Sequence, residues 1–229
     1  DKSYFREVGG DIISASADVA GAKSLLQQAG VTSGSFSIAI RPNEVDRAIA
    51  EYVKGVWNSL GFTVTVEEVA SVKLKDYDKA YEDVFMTKYR SGDFDVIAID
   101  MQMLAPDAFS ALAPFATAFS GNGVDMNSAT YDLYGHITGY KSEQYDALIE
   151  SAFETKDRAE RTALLHDAEK LLMEDMPVAP LVFLQDAFLA NDGLSGYKTT
   201  YFGTRDFKRM KLKNYVEYLP AEETAGDDT

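Results

Sequence analysis

Cysteine is absent from all 229 residues. That excludes a disulfide framework, a thiol nucleophile and thiolate metal sites, and it leaves the compartment open. Histidine is nearly absent too. His136 and His166 are the two present, and with no HExxH or paired-His spacing a transition-metal site is not expected. Positive charge is scarce: 22 Lys and Arg stand against 37 Asp and Glu, a formal net charge of −15. Nucleic acid is therefore not an expected partner, and anionic membranes repel such a chain. Apolar runs are short, with residues 178–184 among the longest, far below the span of a bilayer. No signal peptide is visible, and with Asp1 in first place the chain reads as a mature product or an excised piece.

Catalytic motifs are missing as well. There is no GxGxxG after a strand, no GxxxxGK[ST] and no GxSxG elbow. Carboxylates are abundant enough for chance pairs, so a pair alone carries no argument for acid–base chemistry. Asp125, Asn127 and Asp132 do not follow the spacing of an EF-hand calcium loop. Neither a metal nor any other cofactor is expected. A phosphoacceptor role for Asp100 would need an acidic pair at the end of the first strand, where the chain instead carries Arg41 and Pro42.

What is present is an alternation of strand and helix signals. Residues 35–40 alternate small or polar with apolar side chains, as a half-buried strand does. Asn43 is placed to cap a helix in which Val45, Ala48, Ile49, Tyr52, Val53, Val56 and Leu60 follow helical spacing, with Gly61 at the stop. Residues 62–69 form a second strand pattern. A second helix carries Tyr77, Tyr81, Val84 and Phe85 on one face and ends before Gly92. Residues 94–100 are nearly continuous in apolar character, which predicts a third strand at the centre of a sheet covered on both faces. The sum is a βαβαβ unit and a parallel sheet.

Flanking this unit, Asp18 is set to cap a helix carrying Val19, Ala22, Leu26 and Ala29. Ser142 precedes a helix with Tyr145, Leu148, Ile149, Ala152 and Phe153 on one face. Asp157 and Glu160 form a capping-box pattern before Leu164, Ala168, Leu171 and Leu172. Met176 and Pro177 close that helix, and residues 178–185 read as a returning strand. Arg205, Lys208, Arg209, Lys211 and Lys213, interleaved with Phe207, Met210, Leu212 and Tyr215, look like an exposed edge strand. Residues 121–140 form a polar loop that is equally a functional loop or a surface excursion.

Several of these segments, in order, resemble the C-terminal lobe of the family 5 extracellular solute-binding proteins, the oligopeptide-, dipeptide- and nickel-binding components of ABC importers. Residues 18–30, 48–66 and 92–96 are similar to the family's helices and strands. Pro106 and Phe109 match its Pro-x-x-Phe step. Residues 139–149 and 157–181 resemble its later helices, the second of these stretches being the most specific.

The resemblance implies an α/β fold, a type II periplasmic-binding-protein-like lobe with a mostly parallel sheet flanked by helices. Residues 1–219 would form one lobe, with residues 220–229 an acidic disordered tail. The N-terminal lobe of such a receptor is not represented in this chain. It further implies a non-enzymatic, substrate-binding component of an ABC importer that closes on a peptide or similar small solute. Its partners would be that solute, the other lobe and a membrane permease. Its place would be extracellular or periplasmic, with the parent lipid-anchored at the cell surface.

Open α/β sheets bind ligands beyond the carboxyl ends of their strands. The expected ligand-facing residues are therefore Asp100, Met101, Gln102, Met103, Leu104 and Asp107. Peptide-binding members carry an Asp four residues before the Pro-x-x-Phe proline, where this chain has Gln102. Gln102 can accept a hydrogen bond from an ammonium but brings no charge, which weakens the expectation of a free peptide amine; a shifted loop presenting Asp100 or Asp107 would restore a charged clamp. The rival classes are a hydrolase-like α/β enzyme and an adhesion or scaffold domain.

Overall fold

Gly34–Ile40 (β1) is the middle strand of three, all parallel, in the order β2-β1-β3. It pairs along its whole length with Phe62–Glu68 (β2), from Gly34 opposite Phe62 to Ile40 opposite Glu68. On its other side it pairs with Val96–Ile97 (β3), Ile38 opposite Val96 and Ala39 opposite Ile97. The computed structural model describes residues 4–14, 16–70, 84–101, 103, 105–119, 139–183, 187–200 and 203–219. Tyr77, Tyr81, His136, Asp125, Asn127, Asp132, most of the 121–140 loop and the acidic tail lie outside the described residues. The chain divides into two compact units, Asp1–Val178 and Ala179–Thr229.

In the first unit the βαβαβ expectation is met, with two adjustments. The strand covered on both faces is β1, not the third. Ile38, Ala39 and Ile40 are all buried, so the apparent alternation of β1 becomes continuous burial at its carboxyl half, where small Ala39 takes the place of a polar residue. The third strand is also shorter than residues 94–100. At its amino end the Asp95 carboxylate accepts from both the Ser37 N–H (2.8 Å) and the Ser37 hydroxyl (3.1 Å), occupying a donor that a longer ladder would use. At its carboxyl end the Ala98 N–H still donates to the Ala39 carbonyl at 2.9 Å.

The crossover from β1 to β2 is the helix Glu44–Ser59 (α3). Asn43 caps it as expected, accepting from the Asp46 N–H at 2.8 Å. Gly61 then sits at φ 104° with its Cα against the Thr32 carbonyl, where a Cβ would lie 2.9 Å from that oxygen, so the turn into β2 needs glycine. The helix buries Ala50, with Val53 and Trp57 beside it, against Ile38, Ile40 and Val64. The sequence pattern predicted a face turned by one position, and Val45, Tyr52 and Val56 are instead exposed. Trp57 sets the rotation, meeting Phe36 edge-on at 4.9 Å. The opposite face of the sheet buries Ala39 and Val69 with Phe85 of Val84–Ser91 (α4). Upstream, Val19–Gln28 (α2) forms with its Asp18 cap in place. It buries none of its residues, however, and Leu25 is exposed.

A second core lies among helices. Ala108–Leu112 (α5) runs through two short 3-10 turns, Ala113–Phe115 and Thr117–Phe119. Glu143–Glu154 (α6) and Arg158–Asp175 (α7) follow, joined by only three residues, so they fold back on each other as a helical hairpin. Both caps form: Ser142 accepts from the Tyr145 N–H and Asp157 from the Glu160 N–H. Tyr145, Ile149 and Ala152 of α6 meet Leu165, Ala168 and Leu172 of α7 around Leu112 and Phe115. The α7 face is anchored by Leu165 rather than Leu164, which is only partly buried. The Tyr145 hydroxyl donates to the Leu112 carbonyl at 2.7 Å, satisfying both inside the core.

Met176 ends α7 in a left-handed conformation, φ 48°, its N–H returning to the Leu172 carbonyl. Nearby, the Tyr140 hydroxyl donates to Asp175 at 2.7 Å; burial and that carboxylate push its pKa up to about 12. The helix Tyr4–Gly9 (α1), which the sequence pattern did not indicate, rests on α7. Phe5 stacks on His166 at 3.8 Å and Arg6 pairs with Glu169.

In the second unit, Leu194–Ser195 (β4) pairs antiparallel with Lys211–Leu212 (β7), and Lys198–Thr199 (β5) with Arg205–Asp206 (β6). The basic segment is thus two short strands, not one edge strand, broken by a turn in which the Met210 N–H donates to the Phe207 carbonyl. Residues 178–183 are not a strand either. Among the described residues they have no ladder partner, and Leu181, Val182 and Phe183 are exposed.

Cavity formation in the helical core gives a direct check on this packing. Ile149→Ala is expected to cost about 2–5 kcal/mol in urea unfolding. Leu25→Ala, on the unburied face of α2, should change stability by less than about 0.5 kcal/mol.

Candidate functional site at the carboxyl edge of the sheet

Three parallel strands bring three chain exits to one edge. The Val69 N–H donates to the Ile40 carbonyl and the Ala98 N–H to the Ala39 carbonyl, both at 2.9 Å, so the pairing runs one residue past each ladder. Continuing the register, Arg41 lies level with Val69 on one side and Ile99 on the other. Backbone beyond such strand ends is free of the ladder, which is why this edge is where an open α/β sheet presents groups to a ligand.

Among the described residues of the segment leaving β3, three apolar side chains are accessible. Ile99, Met101 and Met103 are exposed at 37%, 40% and 40%, which matters because side chains of this kind are available to cover an apolar part of a solute. Asp100 is exposed and makes no hydrogen bond or ion pair among the described residues. Gln102 and Leu104 lie outside the described residues.

Asp107 has a different setting. It caps α5, accepting from the Phe109 N–H at 3.2 Å, and both its oxygens take the Arg161 guanidinium, at 2.7 and 3.2 Å. Burial opposes its ionisation, but the Arg161 hydrogen bonds, the Phe109 N–H and the Arg161 charge together outweigh that, so its carboxyl titrates below the ordinary value. The Arg161 guanidinium also lies 5.4 Å from the Phe109 ring, which meets Phe119 edge-on at 5.6 Å. Asp107 and Phe109 thus fasten the chain that leaves the candidate segment onto α7.

The residue at this edge that sequence reasoning put to no ligand use is Arg41. It served there only to exclude an acidic metal pair. Its position directly after the first strand of a βαβ unit is the signal that marks it. Its guanidinium lies 4.3 Å over the Phe85 ring and 3.2 Å from the Met86 sulfur. No group of three or more His, Cys, Asp or Glu suited to a metal occurs among the described residues, and no helix among them is long and apolar enough to cross a membrane.

Residues 3–123 match the family model described as bacterial extracellular solute-binding proteins, family 5 Middle. Over 218 residues the chain is 28% identical to the dipeptide-binding protein DppE of Bacillus subtilis (strain 168), a match covering 91% of this chain and 34% of that protein. It is 26% identical over 169 residues to the probable deoxycholate-binding periplasmic protein YgiS of Escherichia coli (strain K12), covering 72% of this chain and 27% of that one. The chain therefore spans about a third or less of the length of these curated relatives.

Among solved structures, it is similar to the substrate-binding domain of an oligopeptide ABC transporter from Bacillus anthracis str. Ames. The TM-score is 0.65 at 16% identity, over 92% of this chain and 37% of that one. The clavulanic acid biosynthesis oligopeptide binding protein 2 gives a TM-score of 0.64 at 21% identity, over 86% and 34%. At these identities the likeness is one of fold.

The Asp107–Arg161 pair can be tested by pH. A carboxyl held below its ordinary value of 3.8 contributes stability that is complete well above that value and is lost as pH falls through and below it. The Asp107 side chain is 41% exposed, so solvent screens the pair. Asp107→Asn is expected to lose only about 1 kcal/mol at pH 7 in urea unfolding. Variant and wild type should converge in stability as the pH is taken below about 4.

Proposed function

The chain belongs to the family 5 bacterial extracellular solute-binding proteins, and on that premise we propose that it is one lobe of a hinge-closing receptor for a peptide or similar small solute. The lobe comprises residues 1–219, and the solute lies against the carboxyl edge of β1 and β3. Asp100, Met101 and Met103 face it, with Gln102 and Leu104 in the same segment. Asp107 serves the site by anchoring that segment to α7. The observation that carries the reading is the family match over residues 3–123, which takes in the whole sheet and the segment beyond β3.

The mechanism follows from where the contacts are. A solute favours the closed state only by the free energy of contacts it makes there and not in the open state. One edge of one sheet supplies part of them, and the facing lobe supplies the rest. The closed form is then the surface that an ABC permease in the membrane recognises. The receptor works outside the cytoplasmic membrane, tethered by a lipid on its parent chain. Exposed Met101 and Met103 suit such a site, since flexible thioether side chains adapt to solutes of different shape. The names of the relatives fit a broad ligand range, a dipeptide for one and deoxycholate for another.

Isothermal calorimetry tests the division of contacts between lobes. The full-length protein should bind short peptides, and the 229-residue chain alone should bind the same peptides at least about 100-fold more weakly, the loss expected when a few kcal/mol of contacts are removed. Submicromolar binding by this chain alone would contradict the two-lobe mechanism.

A further inference from the structure

We infer that the turn joining β6 to β7, with the cations of β7, is a docking surface for an anionic phospholipid bilayer. Six of the chain's 22 Lys and Arg fall within residues 193–214, against a single acidic residue, Asp206. That is a local net charge of +5 in a chain of −15. Asp192 and Glu217 stand at the borders of the stretch, and Glu217 accepts from the Asn214 amide at 3.1 Å. Lys198, Lys208, Arg209, Lys211 and Lys213 are exposed, and among the described residues none of the five meets a carboxylate. In the first unit, by contrast, Arg6, Arg47, Lys54, Lys88 and Arg161 each do. Guarding a sheet edge does not account for the five cations, since β6 and β7 are two residues each and offer little edge to guard.

The turn is held in shape from within. The Met210 N–H donates to the Phe207 carbonyl at 3.0 Å, and the Lys208 N–H to the Asp206 carboxylate at 2.9 Å. Gly196, at φ 78°, lets the turn close on the link between β4 and β5, for a Cβ there would lie 2.1 Å from the Arg209 carbonyl oxygen. From Arg209 to Asn214 exposure alternates, with Arg209, Lys211 and Lys213 outward and Met210 and Leu212 half-buried.

Apolar side chains accompany these cations. Phe207 is 60% exposed, and Tyr215 and Val216, in the 3-10 turn that follows β7, are 57% and 52% exposed. Rings and aliphatic groups among lysines match a bilayer surface, where headgroups take the charge and the interface takes the apolar part. A purely acidic protein surface would satisfy the cations and leave Phe207 in water. The −15 of the whole chain opposes approach to anionic lipid. Charges more than about 8 Å from the lipid are largely screened at physiological salt, however, so the nearest residues decide. Each Lys or Arg there strengthens attachment about fivefold, which gives a reversible contact and not an insertion.

Vesicle co-sedimentation of the 229-residue chain tests the inference. The chain should sediment with vesicles of equal phosphatidylcholine and phosphatidylglycerol, and not with phosphatidylcholine alone. The triple variant Lys208→Gln, Arg209→Gln, Lys211→Gln should bind the mixed vesicles about 100-fold more weakly. Lys208→Arg with Lys211→Arg keeps the charge and should bind as wild type does. Lys23→Gln, Lys141→Gln, Lys156→Gln removes three exposed cations of the first unit, an equal change in net charge, and should leave binding intact. Phe207→Trp reads the apolar part: its emission, after subtraction of Trp57 in the wild type, should shift to the blue with mixed vesicles. No binding to mixed vesicles, or equal loss in the two Gln variants, would overturn the inference. So would binding to soluble polyglutamate with the Trp emission unshifted by vesicles, the result expected of a surface made for an acidic protein.

Discussion

Pairing of β1 with a parallel neighbour on each side is the constraint on which the rest of the sheet unit depends. Because Ile38, Ala39 and Ile40 are buried on both faces, a slip of one residue in this strand would exchange the sides against which α3 and α4 pack. Parallel pairing also needs the long crossover that α3 provides, and it forces the strands to release their chains at one edge. Arg41, Val69 and Ile99 come together there because of the register and not because of any contact among their side chains. The fold thus creates the site by topology, and the residues that follow the strands decide what it can hold.

That edge would be ill-defined without a second fixed point. The Asp107–Arg161 pair and the Phe109 ring supply it, tying the chain downstream of Met103 to α7. The candidate segment is therefore held at both ends, by the β1 ladder before it and by the helical core after it. Between these anchors, Asp100, Met101 and Met103 are exposed.

Local signals were the most legible part of the sequence. Asp18, Asn43, Ser142 and Asp157 all form their caps, each accepting from the N–H three residues on, since a cap involves only near neighbours. The βαβαβ order was legible for the same reason. Facts set by distant partners were not. The rotation of α3 depends on Trp57 meeting Phe36, and the shortness of β3 on Asp95 reaching Ser37. Residues 178–183 have the composition of a strand but no partner ladder among the described residues. At the site, Asp100, Met101 and Met103 could be nominated because they follow a strand. Arg41 follows one equally well, but its stacking over Phe85 is a three-dimensional fact that no spacing reveals.

Amide hydrogen exchange in the full-length protein, with and without saturating short peptides, tests the location of the solute most directly. The account predicts that protection on binding concentrates at residues 98–103 and near Arg41, with α6 and α7 unchanged. Protection confined to the α6–α7 hairpin, with residues 98–103 unaffected, would contradict it.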